Sequence, residues 1–236
     1  MATSKIAFFV EGLTEQEFVK KLLAEVFGEK DIMFEIKAIM GSPKTKITLT
    51  SIESPIIDGE KRYYILIYNC GGDSSIKSYI LDQRNGLIKS GYSKIIGLRD
   101  VYPDVERQNT HRLLTGLNYK LPQKDIPISF VLSIMEIESW FIAEENHFQN
   151  IDAGLTPVFI ETHFGFNPST YNTELIDEPA KMLNDVYQLV GKSYRKKNAS
   201  ITRTINAMDY HNIYFNTHNR ISSIGQLIGE IEEIFH

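Results

Sequence analysis

The side chains with the most chemistry in this 236-residue chain are carboxylates, and they stand where apolar runs stop. Ile6 to Val10 is an unbroken apolar run that ends in Glu11 and Gly12, and Glu15 follows four residues after Glu11. The run "KIIGLR" ends in Asp100, with Asp104 beyond "VYP", and "ISFVLSIM" is closed by Glu136 and Glu138. Short apolar runs of this kind read as buried strands. In a parallel α/β sheet, ligands gather at the carboxyl ends of the strands, so these acids are expected to converge on one edge of the sheet.

Carboxylates crowded together repel, and a hard divalent cation neutralises them. Oxygen donors with no cysteine or histidine at ligand spacing point to magnesium or manganese rather than zinc. Such ions meet the phosphate oxygens of a substrate, and two of them could clamp the attacking and leaving oxygens of a phosphodiester. Any one of these acids, taken singly, also fits a solvated loop position or a helix cap. Glu15 in particular would favour a helix N-terminus through the macrodipole.

The elements that must hold the acids alternate. "LTEQEFVKKLLAEVFG" carries Phe18, Leu22 and Val26 at four-residue steps, widened by Leu23 and Phe27, with Thr14 to cap the start and Gly28 to stop it. "DIMFEIKAIM" and "YYILIYNC" read as strands, and "GSPKTKITLTSIESPIIDGEKR" as a loop or hairpin insertion. "SSIKSYILDQRNGLIKSG" reads as mostly helical, with Asn85 and Gly86 as a possible break. "YSKIIGLRD" is a strand ending in Asp100, "ISFVLSIME" a strand from Ile128 to about Glu136, and "IESWFIAEE" turns into a helix. This alternation predicts an α/β fold, a mainly parallel sheet flanked by helices, over residues 1–146. "EPAKMLNDVYQLVG", "ASITRTINAMD" and "ISSIGQLIGEIEEIF" predict a helical C-terminal extension over 147–236, packed on the sheet.

Bulk composition narrows the classes. Hydrophobic residues make up 42% and charged residues 23%, enough for a core and against disorder. The net charge of −5 gives no global attraction to nucleic acid, so such binding needs a local patch. A single cysteine, Cys70, excludes an internal disulfide framework and a cysteine-based zinc site. No signal-peptide pattern opens the sequence and no apolar run approaches a membrane span, so the expectation is a cytoplasmic protein without membrane contact.

The local patch is "GKSYRKKNASITR", which carries Lys192, Arg195, Lys196, Lys197 and Arg203 and no acid. Tyr194 within it could stack on a base. The same composition also fits a solvated helix start. "NCGGDS" could bring the backbone of Gly71 and Gly72 to a phosphate, although a tight turn with Asp73 and Ser74 as caps accounts for it better. The six histidines show no ligand spacing.

Together "FFVEGLTE", "IIGLRDVYPD" and "IMEIESWFIAE" resemble the TOPRIM domain shared by topoisomerases, primases and nucleases of the overcoming-lysogenization-defect type. The likeness spans about the first 145 residues. It implies a Rossmann-like TOPRIM fold and a magnesium- or manganese-dependent nuclease that hydrolyses DNA or RNA, working beside an ATPase partner in antiviral defence. Carried over by position, Glu11 and Asp100 would be catalytic. Glu11, Glu15, Asp100, Asp104, Glu136 and Glu138 would hold metal. Lys197 or Lys196 would stabilise charge on the phosphate, with Lys197 the residue assigned. Lys192, Arg195, Lys196 and Lys197 would bind the nucleic acid. The family's D-x-D is not kept, since Tyr102 stands two residues after Asp100 and the next acid is Asp104. That departure supports the alternative of an inactive TOPRIM-like scaffold serving as a binding subunit.

Overall fold

The computed structural model describes residues 4–40, 48–55, 61–72 and 76–235. Six strands form one sheet in the order β3-β2-β4-β1-β5-β6. They are β1 (Ser4–Val10), β2 (Ile32–Met40), β3 (Thr48–Glu53), β4 (Tyr63–Asn69), β5 (Lys94–Asp100) and β6 (Ile128–Ser133). β1 runs parallel to β4 and β5, and β2 parallel to β4, while β3 closes one edge antiparallel to β2. At the other edge, Ile95 N–H donates to the Pro127 carbonyl and Val101 N–H to the Ser133 carbonyl. Donor and acceptor advance together, so β6 is parallel to β5. The chain is therefore an α/β protein, as the alternation of patterns required. β1, β5 and β6, the strands that precede or end in the acids, are consecutive in the sheet.

The chain folds as two compact units that do not follow the sequence in order. The first comprises residues 1–99 and 111–132, the second 100–110 and 133–235. The anticipated boundary at 146/147 falls within the second unit.

In the first unit, α1 (Leu13–Phe27) joins β1 to β2, α2 (Ile76–Lys89) joins β4 to β5, and α3 (Thr110–Asn118) precedes β6. The helix α1 starts earlier than Thr14. Gly12 is its N-cap, and the Glu15 carboxylate reaches back to accept from Gly12 N–H at 2.8 Å. α1 packs on β2 and β4, burying Phe18, Val19, Leu22 and Leu23, whereas α2 packs on β1. The Asn85–Gly86 pair does not interrupt α2, which runs through to Lys89. β3 shows that part of the Pro-containing insertion pairs with the sheet; residues 41–47 and 56–60 of it lie outside the described residues. Asp73 and Ser74 lie outside them too.

The second unit is helical: α4 (Glu138–Ala143), α5 (Asn146–Ile151), α6 (Pro157–Phe164), α7 (Pro179–Gln188), α8 (Asn198–Ala207), α9 (Tyr210–Asn212), a π-helical segment Ile213–Thr217, α10 (His218–Arg220) and α11 (Ser222–Phe235). Trp140 is fully buried and donates from its indole N–H to Ser223 Oγ at 2.7 Å. Glu144 is a second internal tie. Its carboxylate accepts from the backbone of Asn146, His147 and Asp209 and from the Asn212 amide, all within 3.0–3.2 Å. The His147 ring lies against Phe148, and its Nδ1 donates to the Glu144 carbonyl. Among the described residues no helix is long and apolar enough to cross a membrane.

Two measurements test this packing. A Cβ on Gly97 of β5 would come within 2.6 Å of two ring carbons of Phe130 on β6. Gly97→Ala should therefore cost about 1–3 kcal/mol in urea unfolding, and stability equal to the parent's would show that the ring yields freely. The second measurement uses pH. Burial pushes the His147 imidazole down to about 4, so the unfolded chain takes a proton near 6.5 that the fold refuses, and stability falls with pH over that window. Burial pushes the Glu144 carboxyl up to about 7 against the pull of its four donors. The fold therefore binds that proton first, and stability rises as pH falls from 7 to 4.5. The two contributions oppose each other over the shared window. His147→Phe removes only the first. Between pH 7 and pH 5 it should gain roughly 1–3 kcal/mol relative to the parent's trend, and a trend parallel to the parent's would refute the pairing.

Candidate functional site

Three of the sequence-predicted acids meet in the second unit, and the fold explains how. β6 ends at Ser133, three residues short of Glu136. Met135 then takes a left-handed conformation at φ 68°, which is rare for a residue with a Cβ. Asp100, 2% exposed at the end of β5, holds this turn: its Oδ1 accepts from Ser133 Oγ and, at 3.0 Å, from Ile137 N–H. Glu138 consequently lies in the first turn of α4, not at a strand end. Glu136 in the turn and Glu138 in the helix both reach one ammonium group.

That ammonium belongs to Lys196. Its Nζ is 2.9 Å from Glu136 Oε1 and 3.3 Å from Glu138 Oε2. Glu136 Oε2 also accepts at 3.0 Å from Ala180 N–H, one of the donors that the first turn of α7 leaves unused. Glu138 is fully buried. Its Oε1 accepts from the Tyr194 hydroxyl at 2.7 Å, and its Oε2 has no hydrogen bond. Burial pushes the Glu138 carboxyl up, the Lys196 ammonium pulls it down, and the charge of Glu136 adds to the rise, so the carboxyl stands above its ordinary range. Burial opposes the charge on Lys196, but Glu138, Asp100 and Glu136 outweigh it and hold the ammonium above the usual lysine range. The Lys196 side chain is still 44% exposed, so solvent screens its pairings and leaves it open to an incoming anion.

The basic stretch divides. Tyr194 is 3% exposed, with its backbone N–H on Asn184 and its ring edge-on to Tyr187, so it is a buried donor to Glu138 and offers no face to a base. The lysine brought to the acids is Lys196. Lys197 precedes α8 as its exposed N-cap residue, and Lys192 and Arg195 are exposed. Asp104 is exposed in the segment after β5.

Glu11 and Glu15 belong to the first unit. Glu11 is half-buried directly after β1, and its charge adds to the burial that pushes the Cys70 thiol up to about 12. Glu15 is buried and spends an oxygen on the Gly12 N–H. The Gly71–Gly72 segment is a turn. Gly71 N–H donates to Asn69 Oδ1 and Gly72 N–H to the Glu11 carbonyl, which leaves neither N–H for a phosphate. Among the described residues no three His, Cys, Asp or Glu side chains are grouped to hold a metal ion.

The fold and site define an α/β protein with a buried carboxylate–lysine cluster. Residues 10–215 match the family described as Domain of unknown function (DUF4276), and the chain belongs to that family. No curated protein matches the chain. Among solved structures, a hypothetical protein from Pyrococcus horikoshii OT3 is similar over 99% of this chain and 100% of that one, at 14% identity and a TM-score of 0.44.

The cluster predicts a coupled response. Tyr194→Phe removes the donor to a buried carboxylate and should cost about 1.5–3 kcal/mol. In a Glu138→Gln background the same substitution should cost clearly less, because no buried charge is left short of a donor. Additive losses across the double-mutant cycle would show that Tyr194 acts through packing alone.

Proposed function

We propose that the cluster of Asp100, Glu136, Glu138 and Lys196 is the centre of a divalent-cation-dependent hydrolase acting on nucleic-acid phosphodiesters. The observation that carries this reading is Glu138: a fully buried carboxylate with one oxygen that no hydrogen bond serves, facing a lysine it shares with Glu136. Burying a carboxylate this way is unfavourable for stability alone. It is suited to a site where a cation arrives. The resemblance of the three strand-end motifs to TOPRIM nucleases supports the same chemistry.

The donor set is all oxygen, which fits magnesium or manganese, and Glu136 and Glu138 would hold the ion. Bound there, the ion would supply charge to polarise a phosphoryl oxygen. Asp100 fixes the turn that presents both glutamates. Lys196 meets the phosphate electrostatically, and the exposed Lys192, Arg195 and Lys197 track the nucleic-acid backbone. An inactive scaffold is the second reading. It is favoured by the pairing of Lys196 with both glutamates and by the lack, among the described residues, of a three-residue metal group.

The test is manganese titration together with cleavage of single- and double-stranded DNA and of RNA, with and without an ATPase partner. The parent should bind manganese and cleave, Glu138→Gln should lose both, and Lys196→Ala should lower turnover by at least tenfold. Lys197→Ala should only weaken binding and reduce its salt slope by about one. Absence of both manganese binding and cleavage in the parent would hand the site to the scaffold reading.

A further inference from the structure

The first unit carries a cleft on its sheet that the acid cluster does not use. β1 and β4 are in the interior of the sheet, where a parallel sheet is normally covered on both faces. α1 covers β2 and β4 on one side, and α2 packs on β1 on the other. Beside α2 a cavity of about 420 Å³ remains, floored by β4 and β2 and walled by Gln83, Gly86, Leu87 and Ser90. That volume is in the range of small-molecule sites, about 300–1,000 Å³.

Its floor is not apolar. Tyr64, Leu66 and Tyr68 alternate along β4, Glu35 and Lys37 face the cleft from β2, and Lys5 does so from β1. Glu35 is already satisfied, because it accepts from the Tyr64 hydroxyl and pairs with Lys37 at 2.9 Å. Lys5 Nζ is 5.7 Å and 5.9 Å from the ring centroids of Tyr64 and Tyr92, which themselves meet edge to face. Tyr68 is 4% exposed, its ring stacked on Phe9 at 4.5 Å, yet its hydroxyl has no hydrogen-bond partner among the described residues and opens on the cleft. The Tyr92 hydroxyl is likewise unbonded. Burial first, then the charge of Glu35, pushes the Tyr68 phenol up to about 12, so at neutral pH it can serve a ligand as a donor.

Gly86 adds an observation of a different kind. It interrupts the helical side-chain surface of α2, where glycine costs about 1 kcal/mol relative to alanine. A Cβ there would meet no atom within 4 Å. Close packing therefore does not require the glycine, and its effect is to keep the cleft wall open.

We propose that this cleft binds a planar heteroaromatic anion of mononucleotide size, its ring against Tyr64 and Tyr92, its acceptor atoms on the Tyr68 hydroxyl, and its phosphate on Lys5. An aromatic surface selects a flat ring. The unbonded phenol selects an acceptor. The Lys5 ammonium, which donates one hydrogen to the Ser90 carbonyl at 3.1 Å and has no carboxylate partner among the described residues once Glu35 has paired with Lys37, selects a negative charge.

Calorimetric titration of the full chain with AMP, GMP, CMP and UMP, with adenosine, and with inorganic phosphate tests this. At least one mononucleotide should bind saturably below about 1 mM, corresponding to about −4 kcal/mol, and more tightly than adenosine or phosphate alone. Tyr68→Phe should weaken it about three- to tenfold. Gly86→Leu, which favours the helix and projects into the cleft, should weaken it at least tenfold without lowering the melting temperature. Equal binding of phosphate and nucleotide, no saturable binding, or binding that survives Gly86→Leu undiminished would each overturn the proposal.

Discussion

A carboxylate sealed from water has to be neutralised by a neighbour or by a proton, and in the second unit that requirement falls on Glu138. Its partners come from far along the chain, Tyr194 on one oxygen and Lys196 opposite the other. Lys196 also binds Glu136, and Glu136 in turn receives Ala180 N–H from the start of α7. The segment after β6 is thereby joined to α7 and to the approach to α8 through polar contacts with fixed directions, where apolar packing alone would tolerate sliding. Asp100 stands beneath this arrangement, since its carboxylate fixes the turn that delivers Glu136 and Glu138 to the same ammonium.

The strands were legible because their apolar runs are short and bounded by turn formers, and the acids stood out because they break those runs. What was not legible was the last step of β6. Ile134, Met135 and Ile137 continue the apolar character of "ISFVLSIM", so no residue type signals that pairing stops at Ser133 or that Met135 turns left-handed. The turn depends on a carboxylate from β5, a long-range contact that local pattern cannot contain. The basic stretch failed to resolve for a related reason. In "SYRKKN" three adjacent cations look alike, and the one that meets the acids is set by the long-range partners Glu136 and Glu138, while Asn184 accepts from the backbone of Tyr194. The start of α9 likewise follows from Asp209 and Glu144 accepting from Asn212, which composition does not reveal.

Aromatic residues hid the cleft beside α2. "YYILIYNC" reads as core by hydropathy, and Ile65 and Ile67 are indeed buried on the face toward α1. Of the alternate residues Tyr68 is buried and Tyr64 half-buried, but their ring edges carry hydroxyls that an apolar count ignores. Tyrosine at such positions gives a sheet face that is closed to bulk water yet still able to donate. Glu35 beside them would be a poor choice for a face destined to be covered by a helix, because a buried carboxylate there would need the partners that Tyr64 and Lys37 supply. The polarity of this face is therefore matched to a surface that remains partly open.

The electrostatics of the acid cluster limit what it can do chemically. Lys196, held charged by Glu138, Asp100 and Glu136, cannot serve as a general base at neutral pH, because its proton is more tightly bound than that of a free lysine. In the proposed hydrolase its contribution would have to be electrostatic, through attraction for a phosphate or charge stabilisation, and its partial exposure leaves room for that. Glu138 is shifted in the opposite functional sense. Burial makes it readier to hold a proton than an ordinary carboxylate, and an approaching cation would favour the ionised form and release that proton. The two side chains are therefore coupled through one contact. Under the proposed reading, an anion that drew Lys196 away would deprive Glu138 of its counter-charge, raise the cluster's affinity for a cation and so tie the arrival of a phosphate to the binding of metal.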